Sequence, residues 1–312
     1  MLIKYSVKDK LKKYFGTIVS LALIIAVMCM CAFYPERENG EAIERRVVRI
    51  WNVDTFEGGK GSRTNFLKSA ARRVEKNRSG VFYLVSSYTP EGAEAAFREG
   101  NAPDAISFGV GLSVYAEQSL SLPYSFSGGV LGKDALAYPW CKGGYALFSL
   151  TDNFEEAGNT VISCGGSNLP QVSAALSGIT GEELPALTAY TKFLGGEYRY
   201  LLGTQRDLCR FQSRNVAVYY KPLSEYCDLY QYYSVLSSEK KDDCLALLDE
   251  LLSAPEKLSD IGMFPLEGDL FAPNPKSTLG VFTSSEALKE ILETARGSDG
   301  KKLGKFLKTI EL

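Results

Sequence analysis

Three charged residues flank a glycine-rich loop near the start of the chain and could contact a polar ligand. Asp54, Glu57 and Arg63 stand before, inside and after a loop with glycine at positions 58, 59 and 61. A phosphate-binding loop would need a glycine at position 54 and a Gly-Lys-Ser/Thr order, which the sequence lacks. The three charged side chains are therefore better ligand candidates than the backbone of the loop.

A second polar group, Gln205-Arg206-Asp207, follows an apolar segment. The planar guanidinium of Arg206 could fork onto a hydroxyl or a carboxylate of a ligand. The alternative, which is more common for such an arginine, is that it ties the end of a helix to a neighbouring carboxylate.

The chain contains no histidine among its 312 residues. This absence excludes Ser-His-Asp and Cys-His nucleophilic catalysis and histidine-ligated metals, but not paired-carboxylate chemistry. The cysteines beyond residue 34 show no CxxC spacing and are odd in number, so they predict buried free thiols, with one disulfide left open. We expect no catalytic residues, no metal and no cofactor.

Net charge argues against nucleic acid as a partner. Acidic residues outnumber basic ones by 37 to 35 over the whole chain, whereas a nucleic-acid-binding domain needs a basic face.

The elements that position the charged loop begin with a strand, a loop and a helix. Val47, Val48 and Ile50 are typical of a strand, and residues 66–74 carry one apolar stripe at helical spacing. A second strand (81–87), a short helix (91–99) and a third strand (105–108) follow. This β-α-β-α-β order predicts a parallel sheet, and ligands collect at the carboxyl ends of such strands.

The rest of the chain continues the α/β pattern. Strands are predicted at 137–150 with a break at Gly143-Gly144, at 160–163, at 216–219 and at 229–236, with a turn at 222–225. Helices are predicted at 169–176, 184–203, 207–212, 242–252, 284–293 and 302–308.

The amino terminus carries a membrane-targeting pattern. Residues 1–14 contain five lysines and one aspartate, and residues 15–34 contain no charge, which is enough to span a bilayer with the amino end in the cytoplasm. A retained signal anchor, a cleaved signal peptide and a lipid anchor on Cys29 or Cys31 stay open. All three place the globular part outside the cytoplasm, behind an anchor (1–34) and a tether (35–45).

Six segments, in order, resemble the extracellular solute-binding proteins of ABC transporters, in the carbohydrate-binding group with the type II periplasmic-binding fold. The segments are WNVDTFEGGKGS (51–62), GNAPDAISFG (100–109), YPWCKGGYALFS (138–149), FLGGEYRYLLGTQRDLCRFQSR (193–214), SEYCDLYQYYSV (224–235) and LSDIGMFPL (258–266).

The resemblance implies an α/β fold of two lobes joined by hinge strands, with the ligand held between them. Lobe 1 would comprise residues 46–137 with a return of 263–312, and residues 138–262 would form the hinge crossing and lobe 2. The implied partners are a carbohydrate or other small polar solute and the ABC permease subunits in the membrane, and the implied state is a monomer tethered to the extracellular face.

The resemblance also directs attention to aromatic and polar residues near the crossings between lobes. Sugars are held by aromatic faces and planar polar groups. The Trp51 side chain is expected either in the hydrophobic core or in the cleft, and Trp140, beside Pro139, is expected to face the cleft. Tyr145, on the same crossing, is expected either to contact the ligand together with Trp140 or to pack inside the protein. Tyr226 and Asp228, before the return crossing, could also face the cleft.

The leading hypothesis is a binding protein rather than an enzyme, acting by hinge closure around a carbohydrate. Two alternatives remain: a carboxylate-dependent glycosidase of the cell envelope, and a sensor or interaction protein whose cleft is degenerate. A cleft filled by the protein's own side chains would favour the degenerate cleft.

Overall fold

The computed structural model describes residues 7–32, 45–112, 115, 118–154, 158–297 and 300–310. They belong to two compact units, Met1–Glu44 and Arg45–Leu312. The first contains helix α1 (Val7–Ala32). Residues 35–44 of the predicted tether (35–45) lie outside the described residues. Within the described part of the chain, no helix has the combined length and apolar character needed to cross a membrane.

The second unit is an alternation of strands and helices. Its strands are β1 (Arg46–Val53), β2 (Val81–Tyr88), β3 (Ala105–Phe108), β4 (Val130–Leu131), β5 (Asp134–Ala135), β6 (Tyr138–Lys142), β7 (Tyr145–Ser149), β8 (Thr160–Cys164), β9 (Glu182–Pro185), β10 (Tyr200–Thr204), β11 (Tyr219–Leu223), β12 (Tyr226–Cys227), β13 (Tyr230–Val235) and β14 (Ser277–Thr278). Its helices are α2 (Arg63–Asn77), α3 (Pro90–Arg98), α4 (Pro170–Leu176), α5 (Ala186–Leu194), α6 (Gln205–Ser213), α7 (Lys241–Leu252), α8 (Ser285–Arg296) and α9 (Gly300–Ile310).

The first sheet has the order β2-β1-β3-β13-β6. β1 is parallel to β2 and β3, and β13 is antiparallel to β3 and β6. Helix α2 begins where the Ser62 hydroxyl accepts a hydrogen bond from the Asn65 N–H, and it buries Phe66, Leu67 and Ala70. The predicted apolar stripe is therefore the face that packs.

The second sheet has the order β11-β7-β10-β8-β9. β7 is antiparallel to β10 and β11, and β8 is parallel to β10 and β9. The prediction of a helix over 184–203 is wrong at its end, because Tyr200–Thr204 forms the central strand β10.

Three stretches of chain cross between the sheets. β6 continues into β7 through Gly143-Gly144, and Asp228-Leu229 leads from β12 into β13; the Gly143 N–H donates to the Leu229 carbonyl at 2.6 Å. Phe264 forms the third crossing, exchanging backbone hydrogen bonds with Lys142 at 2.9 and 3.0 Å. Bundled crossings of this kind are the hinge of a two-lobed protein.

The strand pairing divides the chain differently from the predicted lobe boundaries. Residues 138–142 and 230–235, which fall in the range 138–262 expected to form the hinge crossing and lobe 2, are strands of the first sheet. Helices α8 and α9, expected to return to the first lobe, pack on α4 beside the second sheet. Lobe 1 below means the first sheet with α2, α3 and α7; lobe 2 means the second sheet with the remaining helices of this unit.

Candidate functional site

The loop after β1 lies against lobe 2. The Ser167 N–H donates to the Thr55 carbonyl at 2.8 Å, and the Gln205 side-chain amide donates to the Glu57 carbonyl at 3.1 Å. Thr55 and Glu57 follow the carboxyl end of β1, while Ser167 and Gln205 follow the carboxyl ends of β8 and β10. The carboxyl ends of strands from both sheets therefore meet at one crevice, where ligands bind in α/β folds.

The hinge side holds the far end of this loop. The N–H groups of Lys60 and Gly61 point to the Ile261 carbonyl at 3.1 and 3.4 Å. Gly59 lies so close to Gly262 that a Cβ on Gly59 would overlap the Gly262 carbonyl. Glycine at position 59 is therefore required by close approach of two backbones.

Phe56 fills the crevice. Its side chain is 5% exposed, although it belongs to a loop between two lobes. The crevice is lined by Phe56, Glu57, Ser163, Gly165, Asn168, Ala186, Thr204, Asp207 and Leu229 and has a volume of about 10 Å³. A single water needs about 10–15 Å³, so no sugar fits beside the Phe56 ring.

Arg63 packs under the ring of Phe56. Its side chain is 2% exposed, and its Nε lies 2.8 Å from Asp54 Oδ1. The guanidinium carbon lies 4.1 Å from the centre of the Phe56 ring, and Nη2 donates to the Phe56 carbonyl. Nη1 is buried without a hydrogen-bond partner.

Glu57 carries the charge contacts across the crevice. Its Oε2 lies 2.7 Å from Arg206 Nε and 3.5 Å from Arg210 Nη2. The Arg206 Nε is nonetheless buried without a hydrogen bond, since the short distance is not matched by the angle that a hydrogen bond requires. Glu57 thus neutralises Arg206 without satisfying its donor.

Asp207 holds the amino end of α6. Its Oδ2 accepts from the Thr204 N–H at 3.0 Å, and its Oδ1 accepts from Arg210 Nη1 at 3.1 Å. Burial raises the pKa of this carboxyl, and the Thr204 N–H and Arg210 partly offset that shift. Oδ2 completes the capping box of α6 and Oδ1 holds Arg210, so Asp207 is a capping group that also lines the crevice.

Asp228 and its tyrosines form a buried hinge cluster. Asp228 accepts from the Tyr145 hydroxyl at 2.7 Å and from the Leu169 N–H at 2.8 Å. Tyr145 stacks on Tyr226, with ring centroids 6.4 Å apart. Burial raises the pKa of Asp228. These three predicted site residues lie inside the protein, and they join β7 and α4 to the return crossing.

Neither tryptophan faces the crevice. Trp51 is buried against Tyr88, with ring centroids 4.4 Å apart. Trp140 is 1% exposed, its indole N–H donates to the Ser107 hydroxyl at 3.0 Å, and it stacks on Phe66. The expectation that Trp140 faces the cleft is therefore corrected, because the register of β6 turns its side chain into the core of lobe 1.

The structure thus brings together Asp54, Glu57, Arg63 and Arg206 among the predicted site residues. The sequence reasoning missed Phe56 and Arg210. Phe56 lies between two of the selected carboxylates, and Arg210 stands one helical turn beyond Arg206 on α6, so both positions carried a signal.

Neither a metal site nor a disulfide emerges from the described residues. No group of three or more Cys, Asp or Glu side chains among them is arranged to hold a metal ion. The five described cysteines of the second unit are free thiols. Cys141, Cys227 and Cys244 are buried as predicted, whereas Cys164 and Cys209 are only partly buried.

Comparison with known proteins shows the fold. No protein-family model and no curated protein matches the chain. Among solved structures, a cyclo/maltodextrin-binding protein complexed with maltotetraose is 12% identical with a TM-score of 0.57, over 88% of this chain and 98% of its own. The sugar-binding protein MalE from Xanthomonas citri is 14% identical with a TM-score of 0.57, over 85% and 97%.

Iron-bound HitA from Pseudomonas aeruginosa is also similar, with 13% identity and a TM-score of 0.54, over 81% of this chain and 99% of its own. These likenesses confirm the predicted two-lobed α/β fold of the type II periplasmic-binding proteins. The fold alone does not select a ligand, since one of these proteins is named for sugar and another for iron.

Proposed function

We propose that this protein is an extracellular solute-binding protein that captures a small polar solute between its lobes and delivers it to an ABC permease. The observation that carries the proposal is the crevice where strand ends of both sheets meet, closed by contacts between Glu57 and the arginines of α6. Polar side chains at such a junction bind ligands, and bundled crossings permit hinge closure.

A carbohydrate is the first solute class to test. Its support is the resemblance of six sequence segments and the similar solved structures that are named for sugars. The crevice supplies planar polar groups from Asn168 and Arg206 for hydroxyls. Phe56 is the aromatic ring that lines it, and we propose that its loop moves aside to admit the sugar.

Attachment to the extracellular face through the amino-terminal segment belongs to the same proposal. Its support is the lysine-rich stretch 1–14 followed by the uncharged stretch 15–34. The large apolar residues of α1 whose side chains are described are exposed, for example Phe15, Leu21 and Met28. Exposed apolar side chains of this kind suit a segment that contacts lipid.

The crevice supports a glycosidase less well than a solute-binding protein. Glu57 and Asp207 both contact Arg210, so the crevice does hold two carboxylates. Asp207 has both oxygens occupied by Thr204 and Arg210, whereas a catalytic acid must reach the substrate.

The second candidate function is a sensor or interaction protein with a degenerate crevice. The observation that favours it is the Phe56 ring in a crevice of about 10 Å³. A solute-binding protein must release this ring, whereas a degenerate protein keeps it.

The test is a thermal-shift and calorimetric screen of the full chain in detergent against mono- and oligosaccharides, using wild type and Phe56→Ala. Binding at 100 times Kd stabilises a protein by about 2.7 kcal/mol, which a thermal shift detects. We expect at least one sugar to raise the Tm, and to do so more strongly in Phe56→Ala. A folded Phe56→Ala protein that binds no sugar would support the degenerate crevice instead.

A further inference from the structure

Resting on this proposed function, we infer that the solute carries a carboxylate and that Glu57 occupies the place of that carboxylate as an internal ligand. The fold leaves the chemical class of the solute open, whereas the ion pairs, the unsatisfied donors and the packing of Phe56 favour an acidic one.

The charges around the crevice balance only because Glu57 is present. The ion pairs connect equal numbers of cations and anions: Arg63, Arg206 and Arg210 with Asp54, Glu57 and Asp207. Withdrawal of Glu57 alone leaves this set of ion-paired groups with one more cation than anions. A solute with one negative charge restores the balance, and a neutral sugar leaves both arginines of α6 without their shared partner.

Of the buried arginine donors without a hydrogen-bond partner in the described residues, two belong to the charged groups of this crevice. One is Arg206 Nε, which lies 2.7 Å from Glu57 Oε2 at an unsuitable angle. The other is Arg63 Nη1, on a side chain that is almost wholly buried. Unpaired buried donors are costly, and a carboxylate accepts from guanidinium groups in parallel pairs. A free carboxylate can orient to satisfy Arg206 Nε, which the tethered Glu57 does not.

Phe56 and Glu57 leave together because they are neighbours in one loop. The Phe56 ring covers the Arg63 guanidinium at 4.1 Å, while Glu57 covers Arg206 and Arg210. Displacing the loop therefore uncovers an arginine of lobe 1 and two arginines of lobe 2 at once. Cations on both walls suit an acidic solute that draws the lobes together again.

The experiment compares galacturonate with galactose, which differ by a carboxylate in place of a hydroxymethyl group. Calorimetry on the full chain in detergent measures Kd for wild type, Glu57→Gln and Glu91→Gln. Glu91 is an exposed residue in the first turn of α3, so its variant makes the same change of net charge away from the crevice.

We expect Glu57→Gln to bind galacturonate about tenfold more tightly than wild type, because the solute no longer competes with the internal carboxylate. Glu57→Gln also loosens the hold of the loop on α6, so galactose should gain affinity by a clearly smaller factor than galacturonate. The Glu91→Gln variant should change neither affinity. Adding Arg206→Ala to Glu57→Gln should remove the gain.

The outcomes separate the inference from the proposed function. If Glu57→Gln gains equally for galactose and galacturonate, or only galactose binds, the carboxylate inference is overturned and solute binding stands. A lack of gain over Glu91→Gln overturns the inference too. If neither sugar binds wild type, Glu57→Gln or Phe56→Ala while circular dichroism shows folded protein, the proposed function fails with it.

Discussion

Replacement of Gly166 by alanine tests whether lobe 2 is closed onto the loop of lobe 1. A Cβ at position 166 would lie 2.7 Å from the Thr55 carbonyl oxygen and 3.2 Å from the Phe56 Cα. Gly166 also has φ of +71°, so alanine there is strained in any state. Gly178 has φ of +68° with nothing within 4 Å of its Cβ, and Gly178→Ala is the matched control.

The magnitude follows from what the clash adds to the backbone strain. The left-handed conformation costs alanine about 1–2 kcal/mol at either position. Gly166→Ala must also give up the hydrogen bond from the Ser167 N–H to the Thr55 carbonyl, about 0.5–1.5 kcal/mol. The substitution also exposes part of the Phe56 ring. Full burial of such a side chain stabilises a protein by about 1.5–3 kcal/mol, so this partial exposure costs about 1 kcal/mol. We expect an additional loss of about 1–3 kcal/mol relative to Gly178→Ala.

The extra loss has an upper limit, because opening of the lobes relieves the clash without unfolding either lobe. The difference between the two variants therefore cannot exceed the free energy of closure. Urea unfolding at constant m-value gives that difference, and small-angle X-ray scattering should show a larger radius of gyration for Gly166→Ala alone. Equal stability and equal dimensions of the two variants would refute closure onto the Thr55–Phe56 segment.

Three further predictions concern the buried polar groups. Because burial raises the pKa of Asp228, the folded state holds a proton that the unfolded state has lost between the two pKa values. The contribution of Asp228 to the free energy of unfolding therefore falls as pH rises through its folded-state pKa. Urea unfolding at a series of pH values should show a free energy of unfolding that depends less on pH in Asp228→Asn than in wild type. Burial raises the pKa of Cys164 to about 11 and that of Cys244 to about 12, so mass spectrometry should find both resistant to iodoacetamide at pH 8, with Cys244, the more buried, labelled last. Trp140→Phe should cost about 0.5–1.5 kcal/mol for the lost hydrogen bond to the Ser107 hydroxyl, which keeps its bond from the Gln231 amide, while calorimetry should show unchanged solute affinity.

The first β-α-β-α-β unit could be predicted from the sequence to within about three residues. Strand 105–108 has the predicted bounds, and β2 extends the predicted strand 81–87 by one residue. Periodicity succeeds here because α2 and β2 each expose one face, so apolar and polar positions alternate with a definite period.

The second sheet was harder to predict because its central strand is buried on both faces. Tyr200, Leu201 and Leu202 are all buried, so β10 reads as a continuous apolar run that a helix could equally produce. β11 was placed too early, since Pro222 was taken for a turn. Pro222 lies in an edge strand, where a missing N–H is tolerated.

Asp54, Glu57, Arg63 and Arg206 lie at the crevice because they follow strand ends, which meet at one edge of each sheet. The aromatic candidates are buried away from the crevice instead, because a strand residue faces core or solvent according to register, and one step of register reverses the side. Trp140 and Tyr145 lie on the two strands of one crossing and both point inward. Sequence alone does not fix that register.

The closed crevice links the stability measurement to solute affinity. If the loop must leave before the solute enters, the apparent Kd is the intrinsic Kd divided by the fraction of open molecules. A closure free energy of about 1–3 kcal/mol therefore weakens binding by roughly 5- to 150-fold. Gly166→Ala, which disfavours closure onto Thr55, should tighten binding by the factor that its stability loss over Gly178→Ala implies. Two separate measurements, unfolding and calorimetry, must then give the same free energy; if they disagree, the loop and the solute do not compete for one place.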